Sequence, residues 1–281
     1  MKKTVTGLAW FGLLAGLMIT TAYGQDFQKN YQLNPGGSIS ISNVSGKISV
    51  TGSRNSSLSV VAYREGRDKN VVEIVDQSTP DHVSLKVQYP SGGNYDASVR
   101  FVLQVPSGTQ YQFNKLSTAS GDIEVIDVAG EINVNTASGS ITVSQIEGNV
   151  NANAASGDVK VAQVHGIVKA NAASGDVTVS GVAGLVTANS ASGDVNVDLT
   201  RIEGNGDLKF SSASGNVTVT APMDLDAQVS MSTASGSIKS DFPLTIEDLE
   251  SHGQKAYGRL GGGIVKLSVS TASGDLRLMR K

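Results

Sequence analysis

The stretch that decides the fold is residues 155–175, Ala155-Ser156-Gly157-Asp158-Val159-Lys160-Val161-Ala162-Gln163-Val164-His165-Gly166-Ile167-Val168-Lys169-Ala170-Asn171-Ala172-Ala173-Ser174-Gly175. It opens and closes on Ala-Ser-Gly, with Gly166 midway. The same tripeptide stands at 119–121, 137–139 and 191–193, always eighteen residues apart, and returns after insertions at 213–215, 234–236 and 272–274. Glycine recurs every nine residues from Gly121 to Gly193. One unit of eighteen therefore holds two unlike halves, each with apolar β-branched residues alternating with polar ones, as in Ile123/Val125, Ile132/Val134 and Ile141/Val143. Such alternation, closed by Gly, Ser or Asn, is a strand signal.

A strand this short cannot bury its apolar side alone. Stacking identical units solves the problem, because each coil lays its strand on its counterpart at about 4.8 Å per coil. The predicted fold is all-β: a parallel β-helix, or β-solenoid, with coils of about eighteen residues in the central region. Its handedness is not legible in the sequence. Equivalent side chains then form ladders. Asn135, Asn153, Asn171 and Asn189 make one just before the turn, each amide bonding the next and satisfying the turn backbone. Ala137, Ala155, Ala173 and Ala191 make a second, and Gly139, Gly157, Gly175 and Gly193 a third, where the corner needs positive φ or close approach.

Composition narrows the function classes. With 22 basic and 25 acidic side chains the chain lacks the basic excess of a dedicated nucleic-acid binder. It has no cysteine, which excludes disulfides, Cys-ligated zinc and iron–sulfur clusters. Residues 1–24 read as a secretory signal peptide: Lys2 and Lys3, an apolar run from Leu8 to Ile19, then Ala22-Tyr23-Gly24 with small residues at the cleavage positions. Retention of this segment as an anchor is the alternative. No later stretch is apolar and long enough to span a membrane, so cleavage leaves no transmembrane span.

Residues 25–33 read as an N-terminal tail and 34–281 as one solenoid domain. Within it, 34–116 form irregular N-terminal coils (a separate β-sandwich is the alternative), 117–221 the regular stack, and 222–281 C-terminal coils with an insertion near 241–262. Charge is uneven: 25–116 carry net +2 and 117–221 net −7. The acidic stack is expected to disfavour anionic partners on that part.

Asp158, Asp176 and Asp194, with Asp122 two coils earlier, form a candidate cation ladder; the competing reading is that each carboxylate bonds its own turn backbone. His82, His165 and His252 are isolated and give no zinc spacing. Gly258 to Gly263 reads as a tight hairpin rather than a phosphate loop. Candidate binding positions are outward strand residues of the regular stack: Lys160, Thr178 and Asn196 on one face, Asn151, Lys169 and Thr187 on the other. No catalytic residue and no cofactor are expected.

The repeated Ser-Gly-Asp-Ile/Val unit resembles a bacterial family of exported putative adhesins, a domain of unknown function. Residues 35–50, Val105-Pro106-Ser107-Gly108, Asp241-Phe242-Pro243-Leu244, Gly261-Gly262-Gly263 and Ser270 to Leu276 resemble its opening, middle and ending. The resemblance covers about residues 34–280 and implies a parallel β-helix, an exported setting and an adhesin role. The expectation is a non-enzymatic, adhesin-like or cell-envelope-associated module, periplasmic, cell-surface or secreted, binding an envelope glycan or surface protein and no nucleic acid. A polysaccharide-active enzyme and a ligand-free structural or stress-linked envelope protein are the alternatives.

Overall fold

The computed structural model describes residues 26–249 and 253–281, so the expected signal peptide and His252 lie outside the described residues. The N-terminal strands are β1 (Phe27–Tyr31), β2 (Ser38–Ser42), β3 (Ile48–Ser53), β4 (Leu58–Glu65), β5 (Glu73–Asp76), β6 (His82–Gln88), β7 (Ser98–Pro106) and β8 (Gln110–Ser120). The central ones are β9 (Ile123–Ser138), β10 (Ile141–Glu147), β11 (Val150–Ser156), β12 (Val159–His165), β13 (Val168–Ser174), β14 (Val177–Ala183), β15 (Val186–Ser192), β16 (Val195–Arg201), β17 (Asp207–Ser214) and β18 (Val217–Ala221). The last are β19 (Ala227–Ser235), β20 (Ile238–Ser240), β21 (Thr245–Asp248), β22 (Gln254–Leu260), β23 (Val265–Ser273) and β24 (Leu276–Arg280).

Pairing resolves these strands into two faces of one β-solenoid. Sheet A runs β1–β4–β7–β3–β9–β10–β12–β14–β16–β18–β24–β20. Sheet B runs β5–β6–β2–β8–β9–β11–β13–β15–β17–β23–β19–β22–β21. The long strand β9 turns a corner and serves both. In the regular stack residue i pairs with i+18, as Val143 with Val161 and Asn153 with Asn171. Antiparallel pairs occur only near the ends, where β1, β4 and β5 close one side and β21–β22 the other.

At both ends the coils stack out of sequence order. The coil of β2 and β3 lies between the β6/β7 coil and the β8/β9 coil. The coil of β23 and β24 lies between the β17/β18 coil and the β19/β20 coil. The first coil, β2/β3, and the last, β23/β24, thus lie inside the stack and are covered by other strands, while the N-terminal strand β1 itself forms the edge of sheet A. This interleaving accounts for the failed hairpin reading at Gly258–Gly263. The chain leaving β22 crosses over β19 to reach β23, and β22 and β23 do not pair. The glycines instead wrap the Asp226 carboxylate, whose Oδ1 accepts from the Ile264 N–H at 3.0 Å. That bond, with those from Gly262 and Gly263, holds the Asp226 carboxyl below the ordinary carboxylate range.

The core is a set of apolar ladders. Ile141, Val143 and Ile146 of sheet A face Val150, Ala152 and Ala154 of sheet B, and the same positions are buried in the following coils. Alanine on one side lets the two sheets approach closely. Phe101 and Phe113, both fully buried, fill the wider N-terminal coils.

Three backbone ladders turn the chain. Gly121, Gly139, Gly157, Gly175, Gly193 and Gly215 have φ between +133° and +155°, and at each an added Cβ would strike the carbonyl of the glycine one coil away. Gly130, Gly148, Gly166 and Gly184, with φ between +130° and +154°, meet a backbone carbonyl one coil away in the same manner at the other turn of each coil. The third ladder was not anticipated. Asp127, Gln145, Gln163 and Gly181 hold φ of +57°, +58°, +53° and +64° and bend each sheet A strand around the core. The register against β16 shifts between Ser180 and Val182, beside Gly181, so the bend stops there.

The N-terminal end is closed by Asp76. Its Oδ2 accepts from Lys29 Nζ at 2.6 Å and from the Tyr31 hydroxyl at 3.0 Å, joining β1 of sheet A to β5 of sheet B. Burial works against the Asp76 charge, but hydrogen bonds from Lys29, Ser78 and Tyr31 outweigh it and hold the carboxyl at about 2.

Gly175→Ala meets both a backbone clash and a forbidden φ and should cost about 3 kcal/mol, roughly 6–12 °C in Tm. Gly181→Asn meets neither, since its nearest neighbour would be 3.4 Å away and Gln occupies the same position one coil earlier; thermal unfolding should place it within about 0.5 kcal/mol of wild type. For Asp76, a depressed folded pKa means stabilisation that is complete above the unfolded value of 3.8 and lost as pH falls towards about 2. The Tm deficit of Asp76→Asn should therefore be full at pH 6 and nearly gone at pH 2.

Candidate functional site

The corner where sheet B strands run into the Ser-Gly turn carries a trough of about 1100 Å³. Sequence dictates its cross-section. In β11, Val150, Ala152 and Ala154 point inward, so Asn151, Asn153 and then Ala155 point out. Asn153 forms one wall and Ala155 the other, and register repeats this in each coil. The trough crosses β9, β11, β13, β15, β17, β23 and β19 and ends against Leu249 and Lys255 of the terminal hairpin. At about 4.8 Å per strand it is roughly 30 Å long.

One wall is a carboxamide rail. Asn153 donates to Asn135 at 3.0 Å, Asn171 to Asn153 at 2.9 Å and Asn189 to Asn171 at 2.8 Å, and the Ser211 hydroxyl donates to Asn189 at 2.7 Å. Asn171 and Asn189 each spend one N–H and one oxygen lone pair on the rail and keep one of each for solvent or a ligand, while Asn153 also donates to Asn151 at 3.4 Å. The rail does not serve the turn backbone, which corrects the sequence expectation. That task falls to the trough floor: Thr136, Ser190, Ser212, Thr271 and Thr233 donate to the carbonyls of Gly121, Gly175, Gly193, Gly215 and Gly274 at 2.8–3.1 Å. A hydroxyl stands one residue before the alanine in six of the eight Ala-Ser-Gly tripeptides, with Ala154 and Ala172 in the other two, a signal the ladder analysis passed over.

A family model matches residues 34–279. The chain belongs to the Toastrack DUF4097 family. No curated protein matches this Toastrack chain. Solved structures to which the chain is similar include a putative adhesin from Bacteroides fragilis, at 12% identity and TM-score 0.48, covering 90% of this chain and 96% of that one. A putative adhesin from Parabacteroides distasonis has 13% identity and TM-score 0.42, covering 89% and 96%. A putative cell adhesion protein from Clostridium sporogenes has 10% identity and TM-score 0.27, covering 91% and 99%.

The candidate binding residues fall into two rows on opposite sheets of the Toastrack stack. Lys160, Thr178 and Asn196 are successive neighbours on sheet A. Asn151, Lys169 and Thr187 are successive neighbours on sheet B, one row from the carboxamide rail. The fold brings each trio together and keeps the trios apart. Only the second adjoins the trough.

The aspartate ladder is a bonding device between coils. Asp158 Oδ1 accepts from the Asp176 N–H at 3.0 Å, Asp176 from Asp194 at 2.8 Å and Asp194 from Asn216 at 2.7 Å. Asp122 does the same for Ser140 at 2.8 Å. Each carboxylate thus bonds the following coil's turn, not its own, because the stacking distance brings that N–H within reach. Among the described residues no group of three or more acidic or histidine side chains is disposed to hold a metal ion. His165 Nδ1 meets Glu147 Oε1 at 2.7 Å on the surface, and His82 Nδ1 meets Ser38 Oγ at 2.6 Å.

Register also corrects the charge expectation. The acids of the central stack include the corner aspartates, which lie beyond the glycines. On sheet B, the rail row and the row beside it carry Lys86, Lys115, Lys169, Lys209 and Lys255, against Glu247 opposite Lys255 and Asp207 paired with Lys209. The face beside the trough is therefore basic within an acidic stack.

The rail makes a stability prediction. Asn171→Ala breaks two half-exposed bonds and should cost about 1 kcal/mol. Because Asn153 and Asn171 share a bond, Asn153→Ala and Asn171→Ala together should cost less than the sum of the two, measured by a double-mutant cycle in urea.

Proposed function

We propose that this protein is an exported, non-enzymatic, adhesin-like module that binds an extended glycan along the trough. The observation that carries the reading is the trough itself: roughly 30 Å of unbroken carboxamide and hydroxyl rail facing a methyl stripe, with one polar group per coil. A linear polysaccharide repeats its hydroxyls at a similar spacing and has apolar C–H faces for the alanines. An extended peptide is served less well. It gains affinity from an open sheet edge and specificity from side-chain pockets, whereas the trough crosses strand faces and offers the same small residues in every coil. Among the described residues of the trough lining, Lys255 is the one ionisable side chain. The segment 1–24 supports export to the periplasm, cell surface or medium.

Replacing Ala173 by Arg puts a long side chain across the middle of the trough from an exposed position, with little cost to the fold. In cosedimentation with isolated cell envelopes and insoluble polysaccharides, wild type should bind saturably and Ala173→Arg should lose at least tenfold in affinity. Equal binding by the two proteins would exclude the trough, and absence of saturable binding by wild type would remove the reading.

A further inference from the structure

A second concavity lies on the same corner, beyond the N-terminal end of the trough. It has a volume of about 780 Å³ and is lined by the Tyr89 and Tyr95 side chains, Lys86, Gln88, Asn94 and Val44. The tyrosine rings stand 6.5 Å apart, inclined by 30°. Tyr89 is fixed by its hydroxyl, which donates to the Ala97 carbonyl at 2.9 Å, and by packing against the core. The loop carrying Tyr95 is held at Asp96, which accepts from Arg67 Nε at 2.7 Å and donates its N–H to Asp68 at 2.9 Å. The Arg67 side chain keeps the Asp96 carboxyl below its ordinary range, so this acid stays ionised and is paired with Arg67. Glu73, across the strand pair from Gln88, is not part of the lining and makes no ion pair among the described residues.

Strand register joins crevice and trough into one seam. Lys86 pairs with Ser42, Ser42 with Ser117, and Ser117 with Asn135, the first residue of the trough wall. At the far end Ser232 pairs with Lys255. The methyl stripe continues likewise, since the Ala119 N–H bonds the Val44 carbonyl at 3.1 Å. The polar rail therefore runs across eleven strands, roughly 50 Å, from Lys86 at one end to Lys255 at the other, where Glu247 of β21 stands opposite Lys255. Lys86, Lys115 and Lys169 form no ion pair with any described residue.

We propose that the Tyr89–Tyr95 crevice is a terminal subsite of this seam, taking one sugar ring of a carboxylate-bearing linear glycan. The inference rests on the glycan reading of the trough and adds the ligand's charge and the position of its end. The ring's C–H face lies on tyrosine, Gln88 and Asn94 meet its hydroxyls, and Lys86 pairs with its carboxylate. Lys115 and Lys169 continue that charge complementarity along the chain, whereas Lys209 is already paired with Asp207 at 3.1 Å. Single-stranded nucleic acid is the competing polyanion. It is disfavoured because it stacks bases on aromatic residues along its whole length, and the described residues of the trough lining include no aromatic side chain.

The test is calorimetric titration of the full protein with acidic hexasaccharides from pectate, alginate and hyaluronate, with cellohexaose as the neutral probe and oligo(dT) as the nucleic-acid probe. At least one acidic hexasaccharide should bind at least tenfold more tightly than cellohexaose and weaken as salt rises. Tyr95→Ala and Lys86→Gln should each lower its affinity fivefold or more at unchanged Tm. Tyr89→Phe keeps the ring, loses only the loop bond, and should retain most of the affinity. Equal affinity for acidic and neutral hexasaccharides overturns the inference. So does loss of binding in Ala173→Arg with none in Tyr95→Ala, an outcome that leaves the trough reading standing. Binding of no hexasaccharide overturns both, and tighter binding of oligo(dT) than of any glycan replaces the glycan by a nucleic acid.

Discussion

Everything in this molecule depends on how closely one coil approaches the next at the Ser-Gly corner. The chain can reverse there only with φ far into the positive region, and the carbonyl of one glycine occupies the space a Cβ would need on the next. That contact fixes the rise per coil and the register. Register then places each carboxamide on its neighbour, each corner aspartate on the following N–H, and each methyl of the stripe in line. A one-residue slip would turn every valine of the core outward.

The same constraint makes the trough. Because the coils are identical in cross-section, a local feature such as Asn at one position and Ala two residues later becomes a linear surface. Interruptions fall outside it. The four residues inserted between β16 and β17 relative to the eighteen-residue repeat enlarge the opposite corner, and the rail continues from Asn189 to Ser211 without a break. Function along such a surface is additive: affinity comes from many weak, equally spaced contacts, and specificity has to come from the ends.

Much of the fold was legible because an exact period is a statement about space. Glycine at 121, 139, 157, 175 and 193 gave the coil length, and Ile/Val alternation gave the buried face. The interleaved ends were not legible. Strands β2 and β23 carry the same alternation as their neighbours, and nothing in Ser38–Ser42 or Val265–Ser273 states which layer is outermost. The bend at Gln145 and Gln163 was hidden because glutamine seldom marks positive φ. The candidate site was half legible: Asn151, Lys169 and Thr187 lie beside it, but the trough appears only when sheet B turns its corner. Net charge misled most, because adding up a segment ignores which face each side chain takes. The acids at 122, 158, 176 and 194 are occupied at the corner, while the lysines of sheet B line the seam.

The central claim is that one corner of the stack, and neither flat face, is the binding surface. Side-chain amide resonances report on it directly, because Asn135, Asn153, Asn171 and Asn189 line the trough while Asn196 lies on sheet A. Titration of isotope-labelled protein with the tightest-binding glycan, followed by nitrogen–proton correlation spectra, would decide the matter. The account predicts that the four trough amides shift together in a contiguous run and that Asn196 stays in place. Shifts centred on Asn196 and the backbone of Lys160 and Thr178, with the trough amides unmoved, would contradict it.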